Sequence, residues 1–164
     1  DRSPSRGLGD VYKRQDVHET VTIWAGKNGY EEEIRTSPLP ENAVLVTGLV
    51  GNNNTKEFVE KQYAGKWVSM ITHDKQTVNK DYELGMALLI PKDQLVETFH
   101  APDEGNGILK TWCAKLKPGN NGYRYQVYAG WELGVDDFSK REEFIRLVDT
   151  YADYLNHPVS IHIN

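Results

Sequence analysis

The chain has 164 residues, of which 19 are basic and 24 are acidic, and its formal net charge is −5. Nucleic acids and anionic membranes are bound through positive surfaces, so this acidic balance argues against both as partners. A single cysteine, Cys113, excludes an intrachain disulfide, and no apolar run approaches the roughly 20 residues that span a bilayer. The composition therefore predicts a globular domain with no nucleic-acid partner and no membrane insertion.

The first fifteen residues differ in character from the rest of the chain. Residues 5–15 read SRGLGDVYKRQ and resemble the in-frame translation of a transposase-based sequencing adapter. We therefore expect residues 1–15 to be a disordered, non-native segment that is excluded from fold reasoning. The alternative is a natural, basic and disordered N-terminal tail. Without this segment, which holds four basic and two acidic residues, the net charge becomes −7.

Alternation of apolar and polar residues with a period of two dominates residues 16–164 and predicts β-strands separated by Gly, Asn and Pro turns. The continuously apolar segment 84–90 is typical of a strand that is covered on both faces. The sequence thus predicts a mainly β fold, an antiparallel β-sandwich, with residues 16–164 as the C-terminal part of a single domain. The predicted strands are 17–24, 43–50, 66–73, 84–90, 96–100, 109–116, 123–131 and 159–163.

One amphipathic helix is predicted near the C-terminus. Ser139 and Glu142 have the spacing of a capping box, and Pro158 ends the segment. An apolar stripe at helical spacing indicates that the helix covers one sheet face or an edge. The stripe consists of Phe144, Val148, Tyr151 and Leu155.

Motifs for cofactor and metal binding are missing from the sequence. It contains no phosphate-binding loop, no dinucleotide fingerprint, no nucleophile elbow and no His or Cys pair with metal-ligand spacing. The acidic segment 103–107 lacks the alternating ligands of a calcium loop and is interpreted as a solvated turn. The sequence therefore predicts no cofactor and no metal.

Two histidines are the candidates for acid–base catalysis, because imidazole transfers protons near neutral pH. His73 and His100 each lie where a predicted strand runs into a polar loop, and such strand ends commonly carry functional groups. The alternative is that both are surface or hydrogen-bonded structural histidines. His157, at the predicted helix C-terminus, is interpreted as structural.

Aromatic, amide and cationic side chains on the strands suit a sugar ligand. Tryptophan stacks on the apolar face of a sugar ring, and cationic side chains bind a uronate carboxylate. The alternative is that these aromatic residues pack in the core. The predicted substrate-binding residues are Lys75, Gln76, Trp112, Arg124 and Trp131, and the carboxylates available for a hydrolytic pair are Glu132, Asp136 and Asp137.

Three segments in order (70–76, MITHDKQ; 84–91, LGMALLIP; 128–131, YAGW) resemble a secreted bacterial family of unknown function. Members of that family are encoded beside pectin- and uronate-degrading enzymes in polysaccharide-utilisation gene clusters. The resemblance implies a β-sandwich of the galactose-mutarotase-like supersandwich type and a periplasmic or secreted location. It also implies a role in the breakdown of acidic polysaccharides, and it assigns no catalytic residues.

Two functions follow as hypotheses. The first is a carbohydrate-active protein that processes uronate-containing oligosaccharides, with His73 and His100 as catalytic residues. The second is a non-catalytic carbohydrate-binding or structural β-sandwich module of a larger enzyme. Both predict an oligosaccharide or polysaccharide ligand, and neither specifies an oligomeric state.

Overall fold

The computed structural model describes residues 16–40, 43–51, 53, 56, 58–76, 81–134 and 138–160. These ranges form strands that pair in two sheets, followed by one helix. The elements are β1 (Val17–Ile23), β2 (Gly29–Thr36), β3 (Leu45–Val50), β4 (Val59–Gln62), β5 (Trp67–Asp74), β6 (Leu84–Pro91), β7 (Leu95–His100), β8 (Thr111–Leu116), β9 (Tyr123–Trp131) and α1 (Arg141–Asn156).

The large sheet has six strands in the order β1-β2-β9-β6-β5-β4, and the small sheet has three in the order β3-β8-β7. All pairings between these strands are antiparallel. The predicted fold class, mainly antiparallel β with a sandwich-like arrangement and one C-terminal helix, is confirmed. Among the described residues, no helix is both long enough and apolar enough to cross a membrane.

Side chains along β5, β6 and β9 point alternately to the two faces of the large sheet. Both faces are buried at the centre of the sheet. All eight residues of β5 are buried, and the predicted two-sided burial of 84–90 is confirmed for most of β6. One face packs against α1 and the other against the small sheet. The helix-side row includes Trp67, Ile71, Ala87, Leu89 and Tyr128, and the sandwich-side row includes Met70, Leu88, Ile90, Tyr123 and Tyr125.

The helix begins later than the capping box predicts. Its N-cap is Lys140, which makes no side-chain capping hydrogen bond, so the prediction of Ser139 as the cap is wrong. Glu142 and Glu143 still lie in the first turn, where negative charge is favourable to the helix dipole. The predicted apolar stripe is confirmed: Phe144, Val148 and Tyr151 are buried, and Leu155 packs at the margin of the same cluster.

The C-terminal strand predicted over 159–163 is not observed where it can be assessed. Residues 159 and 160 follow the helix without strand pairing, and residues 161–164 lie outside the described residues. Residues 1–15 also lie outside them. Two strands that the alternation pattern does not predict, β2 and β4, are present in the large sheet.

Two glycines allow α1 and the turn before it to pack closely against the large sheet. Gly85 and Gly130 are paired across β6 and β9, so they form a flat patch of backbone on the helix side. A Cβ on Gly85 would lie 2.4 Å from the Phe144 ring, and one on Gly130 would lie 2.4 Å from the Phe138 ring. The two aromatic rings meet edge to face with centroids 5.6 Å apart. Ring-on-backbone packing therefore sets the distance between the helix and the sheet.

At its outer side, α1 is also linked to the sheet by hydrogen bonds. The Tyr63 hydroxyl donates to Asp149 Oδ1 on the helix at 2.8 Å and lies 3.0 Å from Ser69 Oγ on β5. Lys61 Nζ pairs with the same Asp149 carboxylate at 2.6 Å. Burial raises the pKa of Tyr63, so the phenol stays protonated and continues to donate.

Cys113 lies in the middle strand of the small sheet, between Gly48 and Phe99 of the two neighbouring strands. It is only 1% exposed, although Phe99 beside it is 39% exposed. Burial raises the pKa of the Cys113 thiol. The thiol is thus a small apolar group in the folded sheet.

Gly85→Ala should destabilise the fold by about 1–3 kcal/mol, because the added methyl group overlaps the Phe144 ring. Denaturant unfolding would measure this change. Phe144→Leu removes the ring and provides the control: the double variant should lose less stability than the sum of the two single variants. Strict additivity would contradict the packing described for this glycine.

Candidate functional site

The ends of several strands meet at one end of the sandwich, which we call the loop end. It comprises the C-terminal ends of β3, β5, β7 and β9 and the N-terminal ends of β6 and β8, as the antiparallel registers require. Asn53, just after β3, donates its backbone N–H to Gln76 Oε1, just after β5, at 3.1 Å. This bond joins the ends of the two sheets. The predicted site residues at the loop end are His73, Lys75, Gln76, His100, Trp112 and Trp131.

His73 lies under the helix rather than in solvent. It is 1% exposed, and its Nε2 donates to the Phe138 carbonyl oxygen at 2.7 Å. Its Nδ1 faces Glu83 Oε2 at 3.4 Å. The Phe144 ring, with its centroid 6.2 Å from that of the imidazole, covers the same pocket. His73 thus connects the turn that precedes α1 to the end of β5.

Glu83 connects His73 to the surface of the loop end. Its Oε1 accepts a hydrogen bond from Lys56 Nζ at 2.7 Å. Its backbone N–H donates to Glu132 Oε2 at 2.8 Å, and its carbonyl accepts from the Glu132 backbone N–H at 3.0 Å. The Glu83 side chain is 14% exposed. The start of β6 and the end of β9 are therefore held together by a carboxylate-rich network with one lysine.

Asp74 and Gln76 organise the loop that follows β5. Asp74 is 3% exposed, and its carboxylate accepts backbone N–H groups from Lys56 at 2.9 Å and from Lys75 at 2.8 Å. The Lys75 carbonyl accepts from Asn53 Nδ2 at 2.6 Å. Lys75 itself is exposed. The loop therefore presents the Lys75 side chain from a backbone that is fixed on both sides.

Trp131 is the predicted stacking residue whose ring reaches solvent. It is 45% exposed and meets Tyr82, which is 38% exposed, edge to face with centroids 6.0 Å apart. Trp131 lies in one row with Leu84 and Asp74, so two strand spacings, about 10 Å, separate it from Asp74. An exposed aromatic pair thus borders the polar groups of the loop end.

The Trp112 ring is in contact with two other rings. It stacks on Phe58 with centroids 4.2 Å apart and an interplanar angle of 9°, and the His100 ring lies 4.5 Å away. Trp112 also packs against the core cluster between the sheets. The surroundings of Trp112 therefore agree with core packing, the alternative interpretation, and not with an open surface for stacking.

Arg124 lies at the opposite end of β9 from Trp131, a distance of about 23 Å along the strand. Its Nε and a terminal nitrogen donate to Glu31 Oε2 at 2.9 and 2.6 Å. Gln126 Nε2 donates to the same oxygen at 2.8 Å. The guanidinium lies 5.7 Å from the Trp67 ring centroid. Arg124 therefore pairs with a carboxylate of its own chain, on the helix side of the sheet.

The two predicted catalytic histidines are on different sides of the large sheet. His73 belongs to the helix-side row of β5, whereas His100 is paired with Trp112 in the small sheet, which covers the other face. The structure therefore does not bring their imidazoles to one reacting centre. Of the predicted carboxylates, Glu132 lies at the loop end, and Asp136 and Asp137 lie outside the described residues.

Sequence reasoning missed Lys56, Tyr82 and Glu83 at the loop end. Lys56 and Glu83 lie in segments without strand periodicity, and Tyr82 precedes a strand as an isolated aromatic residue. Only the pairing of β5 with β6 and β9 brings them together. Among the described residues, no group of three or more His, Cys, Asp or Glu side chains is arranged to hold a metal ion.

Among the described residues, two adjoining clefts lie at the opposite end of the sandwich. One of about 740 Å³ is lined by apolar and amide groups that include Leu39, Pro118 and Asn120. The other, of about 450 Å³, includes Glu33, Asp93 and Arg124. Of the predicted site residues, Arg124 alone is among those that line these two clefts.

His73→Leu should lower the free energy of unfolding by about 1–3 kcal/mol, because it leaves the buried Phe138 carbonyl without its hydrogen-bond donor. Chemical denaturation would measure this loss. His100→Gln is the matched control, because His100 is an exposed residue at the same end of the sandwich. Equal stability of the two variants would contradict a structural role for His73.

A family model described as a domain of unknown function (DUF4861) matches residues 8–161. No curated protein and no solved structure matches the chain. The family match covers nearly the whole sequence, including both sheets and the helix. The chain belongs to the DUF4861 family.

Proposed function

We propose that this domain binds uronate-containing oligosaccharides at the loop end, as a carbohydrate-binding component of polysaccharide degradation in the periplasm or outside the cell. The observation that carries the proposal is the exposed pair of Trp131 and Tyr82 beside a fixed set of polar groups. The location and the pathway rest on the resemblance of segments 70–76, 84–91 and 128–131 to the secreted family.

Stacking on the aromatic pair would supply most of the contact area. Trp131 leaves nearly half of its surface in solvent, and Tyr82 stands at a right angle to it. Two rings at a right angle form an L-shaped platform, against which a sugar ring can lie flat on one and pack its edge on the other. Such rigid side chains lose little conformational entropy on binding.

Polar recognition would come from the loop that follows β5. The exposed Lys75 supplies the positive charge for a uronate carboxylate, and Glu132 supplies oxygens that accept hydrogen bonds from hydroxyls. The predicted binding residue Gln76 is buried, and both ends of its amide are hydrogen-bonded to the Asn53 backbone, so its role is to hold the loop. The hydrogen bonds from Asn53 to Lys75 and Gln76 hold this loop in place before any ligand arrives. Such preorganisation reduces the entropy lost on binding.

The geometry favours binding over histidine-dependent catalysis. A general base must lie within hydrogen-bonding reach of the proton that it removes. His73 is buried under Phe144 and bonded to the Phe138 carbonyl, and His100 is on the far side of the large sheet from it. The binding hypothesis needs neither imidazole.

Trp131→Ala should weaken binding of a galacturonic acid trisaccharide at least tenfold, about 1.4 kcal/mol, because it removes the larger ring of the platform. Isothermal titration calorimetry on the full chain would measure the change. Tyr154→Ala is the matched control, since Tyr154 is 60% exposed on α1 and lies away from the loop end. Equal weakening by both variants, or binding that does not respond to either, would contradict the proposed platform.

Lys75→Gln should weaken binding of the same acidic trisaccharide more than that of the neutral galactose trisaccharide, because it removes one charge and keeps the length of the side chain. The preference for the acidic ligand should also decrease as salt is added.

Product analysis after prolonged incubation separates the binding function from the enzymatic one. Cleavage that His100→Gln abolishes would establish the enzymatic hypothesis instead. A wild-type chain that binds neither trisaccharide would leave a structural module as the remaining function.

A further inference from the structure

On the sandwich side, the outermost strand of the large sheet, β1, carries exposed side chains. The small sheet packs over β9, β6 and β5, and Thr47 of its edge strand β3 contacts Tyr125 of β9. Beyond that edge, Val17, Val21 and Ile23 of β1 are 53%, 52% and 74% exposed. We call this surface the acidic strip, and its polar members are Glu19, Tyr30, Glu32 and Tyr125.

Glu32 is the unusual residue of the acidic strip. It is opposite Val21 on β1 and opposite Tyr125 on β9, so its side chain is on the sandwich side between them. It is only 8% exposed. Within the part of the chain that the structure describes, its carboxylate has no hydrogen-bond donor and no ion-pair partner. Neither carboxylate oxygen is fully buried, but the surrounding residues desolvate the group, and desolvation without a partner is costly.

The groups around Glu32 add negative charge and do not neutralise it. Glu19 on β1 faces the same side, one diagonal step away, and the pKa of Glu32 is raised by burial and then by the Glu19 charge. Tyr30 and Tyr125 flank the carboxylate, and burial raises the pKa of both phenols. The hydroxyl of Thr47 on β3 contacts Tyr125 and closes the inner side of the strip.

The preceding residue on β2 shows the contrast. Glu31, on the opposite face, is buried to a similar degree, and it is neutralised by Arg124 and hydrogen-bonded by Gln126. The sandwich-side rows of β1, β2 and β9 contain no lysine or arginine. Within these rows, Glu32 therefore lacks the cation that its neighbour has.

We propose that the acidic strip is a binding site for a primary ammonium group carried on an alkyl chain, with Glu32 and Glu19 as its anionic partners. The ammonium group would lie between the two carboxylates and beside the Tyr30 and Tyr125 rings, whose faces attract cations. The alkyl part would cover Val21 and Ile23, the exposed apolar residues beside the acids. A free aliphatic amine and a lysine side chain of another protein share this chemistry.

Chemical-shift titration of the full chain with hexylamine at pH 7 tests the site, with hexanol as the uncharged control of equal length. We expect hexylamine to shift amide resonances of β1 and β2, and hexanol to bind at least tenfold more weakly. Equal binding of the two, or hexylamine shifts confined to other strands, would overturn the proposal.

The peptides acetyl-Val-Lys-Val-amide and acetyl-Val-Gln-Val-amide identify the source of the amine. A lysine peptide that binds more tightly than hexylamine indicates a protein partner, and weaker binding indicates a small amine.

Glu32→Gln should weaken hexylamine binding at least tenfold, because it removes the charge and preserves the shape of the side chain. Glu33→Gln is the matched control, since Glu33 is the next residue on the same strand and projects from the opposite face. Glu19→Gln, at an exposed position, is a second variant that retains the fold and should also weaken binding. If neither Glu32→Gln nor Glu19→Gln changes the affinity, the assignment of the acidic strip is wrong.

Glu32→Gln should also raise the melting temperature at pH 7. A carboxyl group whose pKa is raised in the folded state favours folding while it is protonated, and this contribution is lost as the pH rises through the folded-state pKa. The stabilising effect of the variant should therefore be present at pH 7 and absent at low pH, below the pKa of the unfolded chain. Melting curves of Glu32→Gln and Glu33→Gln over this pH range measure it, and a benefit that persists unchanged at low pH would contradict an origin in the buried charge.

Discussion

The burial of β5 on both faces is the constraint on which the rest of the structure depends. A strand with eight buried residues has to lie between two covering layers, and the helix and the small sheet supply one each. This strand also carries polar side chains, and burial is costly for each of them without a partner. The positions of the surrounding loops follow from those partners, because Ser69, His73 and Asp74 each form a hydrogen bond with a group outside the large sheet.

Side chains of β5 also hold the segments of the loop end in place. His73 fixes the turn before α1 through the Phe138 carbonyl, and Asp74 fixes two loops through backbone N–H groups of Lys56 and Lys75. The exposed Trp131 and Tyr82 lie at the same end of the sandwich as these hydrogen-bonded loops. The oligosaccharide that we propose as the ligand would therefore meet groups that are already in place.

How far the fold could be predicted depended on how clearly each element alternates. β5, β6 and β9 have strong apolar patterns, and their prediction is confirmed. β2 contains Glu31, Glu32 and Glu33 in succession, and consecutive charges conceal a strand whose acids are buried on two different faces. The helix start was misplaced because Ser139 and Glu142 match a capping box by spacing alone, whereas the observed N-cap is Lys140.

The site was less predictable than the fold. Sequence position correctly indicated that His73, Lys75 and Trp131 lie at strand ends, but it could not show which side of the sheet each residue occupies. Arg124 and Trp131 share a strand and a composition that suits sugars, yet they are at its two ends and on opposite faces. The partners of Glu83 come from distant segments of the chain, and no local pattern marks such contacts.

The buried thiol of Cys113 makes the small sheet measurable separately from the large one. A thiol that is 1% exposed reacts with a modifying reagent only when the strands around it open. Because the chain has a single cysteine, the rate of its modification reports local opening of the structure around β8. The rate of thiol modification therefore measures how often the small sheet, on the side of the sandwich away from the helix, opens locally.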